Sequence, residues 1–373
     1  MFTEISQSGH EQVLYCYDEV SGLRAIIALH DTRYGMAMGA TRLWPYLSEA
    51  DALRDALRLS RGMTYKAACA NIPVGGGKAV IIGEPSRKGR DFFHAYGRFI
   101  EQLGGRFVTG QDVNLSIEDV RTIAERTKHV VGVTGLGGGP TVATATGVVY
   151  GMLAAVKFRF GVPELRGLTI AVQGVGGVGK ELCIQLHALG ARLVISDVDS
   201  TKTTEIARLT GARIVAPAEI HSSPAEIYAP CALGGVLNDI TIPQINAKIV
   251  AGSANNQLAE ETRHSELLAE TGILYCPDYV INAGGLINVY HEMIGYDEYE
   301  EKAHLGEIAG TLKKIFDSAQ SGGITPYLAA HAIGNERICA WRKTKIHQEK
   351  SAISQPAASP LLASKHLDVV ESA

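Results

Sequence analysis

The chain has 373 residues, 46% of them hydrophobic, which is enough for two domains of ordinary size, each with its own core. Its 35 lysines and arginines nearly balance 39 aspartates and glutamates, giving a net charge of −4, and no block of like charge marks a nucleic-acid surface; small molecules are the expected partners. Residues 1–10 lack a basic-then-apolar leader and no apolar run approaches the roughly 20 residues of a bilayer span, so a cytoplasmic location with no membrane is expected.

Residues 13–17 and 25–30 are short β-favouring runs separated by Ser21 and Gly22, the pattern of a hairpin. Residues 35–44 read as a loop. Ser48 as N-cap, with Glu49 and Asp51 in the first turn, predicts a helix that carries Leu53, Ala56, Leu57 and Ser60 at helical spacing and ends near Lys66. Gly75, Gly76 and Gly77 then precede Lys78 and the β-like run 79–82. A lysine in an apolar setting loses hydration in its charged form and can act as a general base, and three glycines let the backbone approach a ligand; Lys78 suits that role. A surface lysine after a flexible loop is the alternative. A second amphipathic helix is predicted over 91–103, with Phe92, Phe93, Tyr96, Phe99 and Ile100 on its apolar face. Residues 107–109 form a short strand, and Ser116 to Asp119 resembles a capping start to a helix reaching about Arg126. Residues 1–135 therefore read as an α/β domain with a mixed sheet. Asp112, past the end of the 107–109 strand, is a carboxylate partner for the lysines or a loop-capping aspartate.

Glycine density rises from Gly132 to Pro140, as expected of a hinge between domains. After a long helix over 141–160, the strand 169–173 enters Gly174-Val175-Gly176-Gly177-Val178-Gly179, a helix follows, and a second strand, 192–196, ends at Asp197. Strand, glycines, helix, strand and acidic residue in this order predict a doubly wound Rossmann domain over residues 140–324. Gly174 would permit the tight turn, Gly176 and the neighbouring Gly177 would meet the pyrophosphate at the helix N-terminus, and Gly179 would let helix and strand pack closely. Asp197 would accept hydrogen bonds from the adenine ribose and repel a 2′-phosphate, so NAD is predicted over NADP. Strands near 214, 227–229, 249–251 and 273–275 end at small or polar residues, including Cys231, Ala232, Asn256 and Asn282, which should line the nicotinamide half of the site. Helices over 286–295 and 299–321 close the domain. A last helix from residue 326 to about 343, within a returning segment 325–345, should pack on the first domain, and the tail 351–373 is expected to be disordered. Cys16, Cys69, Cys183, Cys231, Cys276 and Cys339 lie in mostly apolar contexts without C-x-x-C spacing, so they are expected to be reduced core residues, and no metal is expected.

A nicotinamide performs hydride transfer, so the protein must supply an acid/base group and a substrate anchor. M-T-Y-K at 63–66, G-G-G-K-A-V-I-I at 75–82, A-P-C-A-L-G at 229–234, A-G-S-A-N-N-Q-L at 251–258 and Y-V-I-N-A-G-G-L-I-N-V at 279–289 closely resemble the Glu/Leu/Phe/Val amino-acid dehydrogenase family. The resemblance covers about residues 13–337. The wording of R-G-M-T-Y-K-A-A-C-A-N-I-P, T-G-Q-D-V-N and C-P-D-Y-V-I-N-A-G-G-L-I-N-V-Y is most similar to that of cyanobacterial tryptophan dehydrogenases. It implies reversible oxidative deamination of an L-amino acid by NAD to a 2-oxo acid, ammonium and NADH. By the same resemblance Lys66 holds the substrate carboxylate, Lys78 is the catalytic lysine and Asp112 exchanges protons with the amino group, water and ammonia. Thr144 matches a threonine near the nicotinamide amide, and Asn256 and Asn282 match asparagines near the nicotinamide ribose and the substrate amino group. A homo-oligomer is expected.

Two departures bear on the substrate. Branched-chain enzymes usually have two glycines before T-R, where this chain has Gly39-Ala40-Thr41-Arg42, and A-E-D-V-G, where it has Gly110-Gln111-Asp112-Val113-Asn114. The side-chain pocket is expected from Met38, Gly39, Ala40 and Met63 of the first domain with Leu286 and Val289 of the second, for which core packing is the alternative. The expected order is tryptophan, giving indole-3-pyruvate, then phenylalanine, then leucine or valine. A non-catalytic NAD-binding sensor is the reading of another class; it would need the glycine loop and Asp197 but not Lys66, Lys78 and Asp112 together.

Overall fold

The computed structural model describes residues 2–33 and 35–353. A short helix α1 (Phe2–Ser8) leads into the hairpin β1 (Gln12–Asp18) and β2 (Leu23–Leu29), antiparallel with Gln12 opposite Leu29. The stretch 35–44 is not a loop. It holds β3 (Ala37–Met38) and β4 (Thr41–Trp44), two pieces too short to show an alternating pattern. The helix α2 (Glu49–Cys69) starts as expected, with the Ser48 side chain accepting from the Asp51 N–H. The three glycines of β5 (Gly75–Ile82) are not a loop either: they and Lys78 lie inside a strand buried at all eight positions. A Cβ on Gly76 would stand 2.1 Å from the Ser60 carbonyl oxygen and 2.3 Å from the Thr64 nitrogen. The missing side chain thus lets α2 lie directly on the strand. Next come α3 (Arg90–Glu101), β6 (Phe107–Val108) and α4 (Ile117–Ala124), the last opened by a reciprocal capping box between Ser116 and Asp119. The sheet is mixed, in the order β1-β2-β5-β3-β6, with β4 also paired to β5. β3 lies parallel to the first residues of β5 and β4 parallel to its last, so one interrupted strand runs alongside β5.

The second lobe begins with α5 (Gly139–Phe160) and continues through β7 (Thr169–Gln173), α6 (Gly177–Ala188), β8 (Arg192–Ser196), α7 (Ser200–Thr210), β9 (Arg213–Ile214), β10 (Ile227–Pro230), β11 (Ile249–Val250), α8 (Glu261–Glu270) and β12 (Leu274–Tyr275). All six strands are parallel, ordered β9-β8-β7-β10-β11-β12, so the chain winds outward from β7 and then from β10 in the opposite direction. That reversal is the doubly wound switch point beyond which ligands bind. Then follow α9 (Asp278–Ile281), α10 (Gly284–Ile294), α11 (Glu298–Gly322) and α12 (Pro326–Ile353). Contrary to the expected absence, one segment among the described residues, Leu136–Phe160, is long and apolar enough to cross a membrane. Here it serves as the core helix α5. A Cβ on its Gly151 would meet Ile281 at 2.4 Å, and one on Gly147 would meet Ile308 at 2.7 Å, so α9 and α11 press directly on it.

α12 packs on α2: Arg337 Nη1 donates to the Ala68 and Cys69 carbonyls at 2.9 and 2.7 Å. His304 and Thr311 of α11 donate to the carbonyls of Ala70 and Cys69. The helix continues past the expected end through residues 351–353, which therefore do not begin a disordered tail; the rest of the expected tail lies outside the described residues. All six cysteines are free, but Cys339 is exposed on α12 and Cys231 half-buried, so only the other four are core residues.

Candidate active site

Lys78 is buried at the middle of β5, facing the interruption between β3 and β4. The interruption is Gly39 and Ala40, and a Cβ on Gly39 would stand 1.7 Å from the Gly77 carbonyl oxygen. Glycine is thus required there by backbone against backbone. Lys78 Nζ donates to Asp112 Oδ2 at 2.5 Å, and Arg42 Nε donates to the same oxygen at 3.2 Å. Burial pushes the Asp112 carboxyl up, but the two cations outweigh it and hold it below the usual carboxylate range.

A cavity of about 740 Å³ opens from this pair to the second lobe; Met63, Lys66, Lys78, Asp112, Asn256 and Asp278 are among its lining residues. Lys66, in the last turn of α2, reaches across and donates to Asn255 Oδ1 at 3.1 Å. Loss of hydration pulls its ammonium down to about 8, partly offset by the Asp278 carboxylate. Asp278, buried at the start of α9, accepts from the Gln257 and Tyr279 N–H groups at 3.2 and 2.9 Å, and burial pushes its carboxyl up. Asn282 stands one step behind the wall. Its amide nitrogen donates to Asn255 Oδ1 at 2.8 Å and to the Ser253 carbonyl at 3.1 Å, and its buried Oδ1 has no partner among the described residues.

The remaining expected side-chain residues lie elsewhere. Met38 and Leu286 are buried in the core and Val289 packs half-buried against it; none of them, nor Gly39 and Ala40, lines the cavity. Asn114 has φ of 58°, so where the branched-chain pattern has glycine this chain uses the next residue best suited to left-handed backbone. The change at Asn114 is thus one that the backbone there accommodates. Arg42 is not foreseen from the sequence as a site residue, and Asn255 and Asp278, which lie in segments expected to line the nicotinamide half, are not foreseen as neighbours of Lys66. Their motifs were visible, but Arg42 meets Asp112 across 70 residues and Lys66 meets Asn255 across 189, and no local pattern reports such pairings.

At the other end of the cleft Gly174 has φ of 92°, and its α-carbon lies so close to Ala232 that a Cβ would meet the Ala232 Cβ at 2.7 Å. A Cβ on Gly179 would be 2.0 Å from the Gly174 carbonyl oxygen, which fixes α6 against β7 as expected. Cys231 follows β10 beside this loop, its N–H donating to the Gln173 carbonyl at 2.7 Å. Asp197 accepts from the Val175 and Asp199 N–H groups at 2.8 and 2.9 Å, so its carboxylate is fixed at the end of β8. Thr144, on α5, donates to the Pro140 carbonyl at 2.7 Å.

Comparison with known families decides what this arrangement belongs to. The model described as Glu/Leu/Phe/Val dehydrogenase, dimerisation domain, matches residues 10–132, and the Glutamate/Leucine/Phenylalanine/Valine dehydrogenase model matches residues 196–345. The chain belongs to the Glu/Leu/Phe/Val dehydrogenase family. It is 55% identical over 345 residues to an L-tryptophan dehydrogenase of Nostoc punctiforme, covering 92% of this chain and 98% of that one. It is 47% identical over 349 residues to a leucine dehydrogenase of Bacillus subtilis (strain 168), covering 92% and 96%. The crystal structure of L-tryptophan dehydrogenase from Nostoc punctiforme superposes with a TM-score of 0.80 at 53% identity, over 91% of this chain and 99% of that one. A hetero-hexameric glutamate dehydrogenase from Thermus thermophilus shares the fold, with a TM-score of 0.72 at 24% identity and 88% coverage of each.

The dehydrogenase is therefore an oxidoreductase acting on the CH–NH2 group of an amino acid with a nicotinamide cofactor, and the non-catalytic sensor is set aside. Its residues fit such a cofactor. No side chain caps the N-terminus of α6, and a Cβ on Gly176 would stand in open space, leaving backbone N–H groups for a phosphate. Asn282 Oδ1 and Ser196 Oγ, the latter one residue before Asp197, are buried polar atoms without a partner among the described residues.

Proposed function

We propose that this dehydrogenase oxidatively deaminates L-tryptophan to indole-3-pyruvate and ammonium, using NAD in preference to NADP. The convergence of Lys66, Lys78 and Asp112 on a cleft walled by Asn255, Asn256 and Asp278 carries the reaction. The motif wording and the 55% identity to a relative named for tryptophan support the side chain. Residues 1–135 with the returning segment 325–345 act as substrate domain and residues 140–324 as cofactor domain. The match to a dimerisation-domain model supports a homo-oligomer, and six free cysteines suit a reducing cytoplasm.

In this mechanism Lys66 exchanges Asn255 Oδ1 for the substrate carboxylate, a stronger, charge-assisted partner. The bound nicotinamide supplies a hydride acceptor for the substrate α-carbon. Lys78 takes a proton from the water that attacks the resulting imine carbon. Asp112, in hydrogen-bond contact with Lys78, moves protons to and from the nitrogen as the carbinolamine collapses and ammonia leaves. We assign to Asn282, whose buried Oδ1 has no partner among the described residues and whose amide nitrogen holds Asn255, the role of acceptor for the substrate amino group. Gly176, Gly177 and the α6 N-terminus hold the pyrophosphate, Asp197 the adenine ribose, and Thr144, Cys231, Ala232 and Asn256 the nicotinamide half.

The test is a panel of L-tryptophan, L-phenylalanine, L-leucine and L-valine with NAD or NADP at alkaline pH, read by absorbance of the reduced cofactor. The reverse reaction uses indole-3-pyruvate, ammonium and NADH. One methylene alters discrimination by about 1–3 kcal/mol, so the full panel is needed to rank side chains. Highest kcat/KM for leucine or valine would overturn the substrate, and silence in both directions the reaction. Asp197→Ala should lower the ratio of NAD to NADP kcat/KM; an unchanged ratio would count against its ribose role.

A further inference from the structure

Arg42, on β4, takes no part in the steps above, yet it touches the acid/base pair. Its Nε donates to Asp112 Oδ2 at 3.2 Å, the oxygen that also accepts from Lys78, while its Nη1 donates to Asp55 Oδ2 at 3.1 Å. Asp55 lies on α2, the helix that carries Lys66, and is itself held by the Tyr46 hydroxyl at 2.6 Å and by Arg58 at 3.6 Å. One guanidinium therefore ties the loop bearing Asp112 to the helix bearing the carboxylate anchor. We propose that Arg42 is a positioning residue for the reaction, fixing the Asp112 carboxylate against Lys78 and setting that pair in register with Lys66. The proposal rests on the role given to Asp112 above.

A planar fork can hold two carboxylates at a set separation, whereas an ammonium is a point charge on a flexible stem. Register matters because a displacement of about 1 Å at a reacting group can cost about 10²-fold in rate. Arg42 also contributes charge. The groups facing Asp112 are Lys78 of β5, Arg42 of β4 and, farther off, Lys66 of α2; Asp55 faces it only through Arg42. Without Arg42, Lys78 is the one cation left within hydrogen-bond range among the described residues, and the Asp112 carboxyl rises toward the ordinary range.

The experiment compares Arg42→Gln and Arg42→Lys with the parent in the amination direction, using a 2-oxo acid, ammonium and NADH across the acid limb of kcat/KM. In that direction Lys78 need not act as base. With rates referred to the concentration of free ammonia, whose fraction falls as pH falls in parent and variants alike, the remaining acid limb reports a carboxylate that must be ionised. Arg42→Gln should move the limb to higher pH by about one unit and lower kcat by about 10²-fold, with KM for NADH unchanged. Arg42→Lys should hold the limb near its parental position and recover only part of kcat. An unmoved limb in Arg42→Gln overturns the proposal however far kcat falls, and full kcat in Arg42→Lys overturns the register role. Should Arg42→Gln not fold, Asp55→Asn serves: a fall in kcat with KM for the 2-oxo acid unchanged supports the link to α2, and parental kcat overturns it. Asp112→Asn separates the premises, since activity surviving there removes the role of Asp112 itself, whereas failure confined to the Arg42 and Asp55 variants leaves that role standing.

Discussion

Lys66 is a cation placed where its charge is costly to keep, and the cost has a direction. Its ammonium, pulled down to about 8 by loss of hydration, is present below that pH and lost above it. Binding of a carboxylate should therefore hold steady below about pH 8 and weaken by about tenfold per unit above it. An unreactive carboxylate such as 3-indolepropionate, whose own charge is constant in that range, isolates the effect in calorimetry. Lys66→Gln should bind more weakly and without this pH dependence; a constant Kd in the parent up to about pH 10 would show that the ammonium is not pulled down, and parental affinity in Lys66→Gln would remove Lys66 as the anchor. At this scale the sequence was informative where a residue is defined by its neighbours. Lys66, Lys78 and Asp112 stood in recognisable local motifs, and the structure brings them to one cleft. Arg42, Asp55, Asn255 and Asp278 are defined by partners brought near only by folding, so their sequence neighbourhoods said nothing of the pairing.

The elements were legible in proportion to their length. Helices with several turns and a capped start, such as α2 and α4, began where Ser48 and Ser116 indicated. The pieces β3 and β4 hid in a glycine-rich stretch because two and four residues carry too little periodicity. The glycines of β5 misled for a different reason: they serve contact with α2, a neighbour that the local sequence does not announce. The C-terminal end of α2 yields a measurable consequence. Its Ala68 and Cys69 carbonyls accept from the Arg337 guanidinium of α12. Arg337→Met should leave those acceptors short of a donor and cost about 1–3 kcal/mol. A lower urea midpoint at unchanged slope checks this, and an unchanged midpoint would show the contact to be dispensable.

For the whole molecule, the division into two lobes followed from composition, the glycine-rich connection and the Rossmann signature, all features of many residues at once. The connection is also held: Glu292 accepts from the Gly132 and Val133 N–H groups at 3.1 and 3.4 Å, and Asn288 donates to the Leu136 carbonyl at 3.0 Å. Cleft closure is expected on binding of both ligands, because exclusion of water strengthens every charge interaction between the lobes. Small-angle scattering should show a smaller radius of gyration with NAD and a carboxylate inhibitor present; superimposable profiles would argue against closure.

The clamp on the end of α2 then says something about order. Lys66 lies within a turn of the carbonyls gripped by Arg337, Thr311 and His304, so if the lobes swing about that clamp it sits beside the fulcrum rather than at the rim of the opening. A load placed at a fulcrum hardly moves when the arms swing. An amino acid could be caught by its carboxylate while the site is still open, and the swing would bring the cofactor to a substrate already seated.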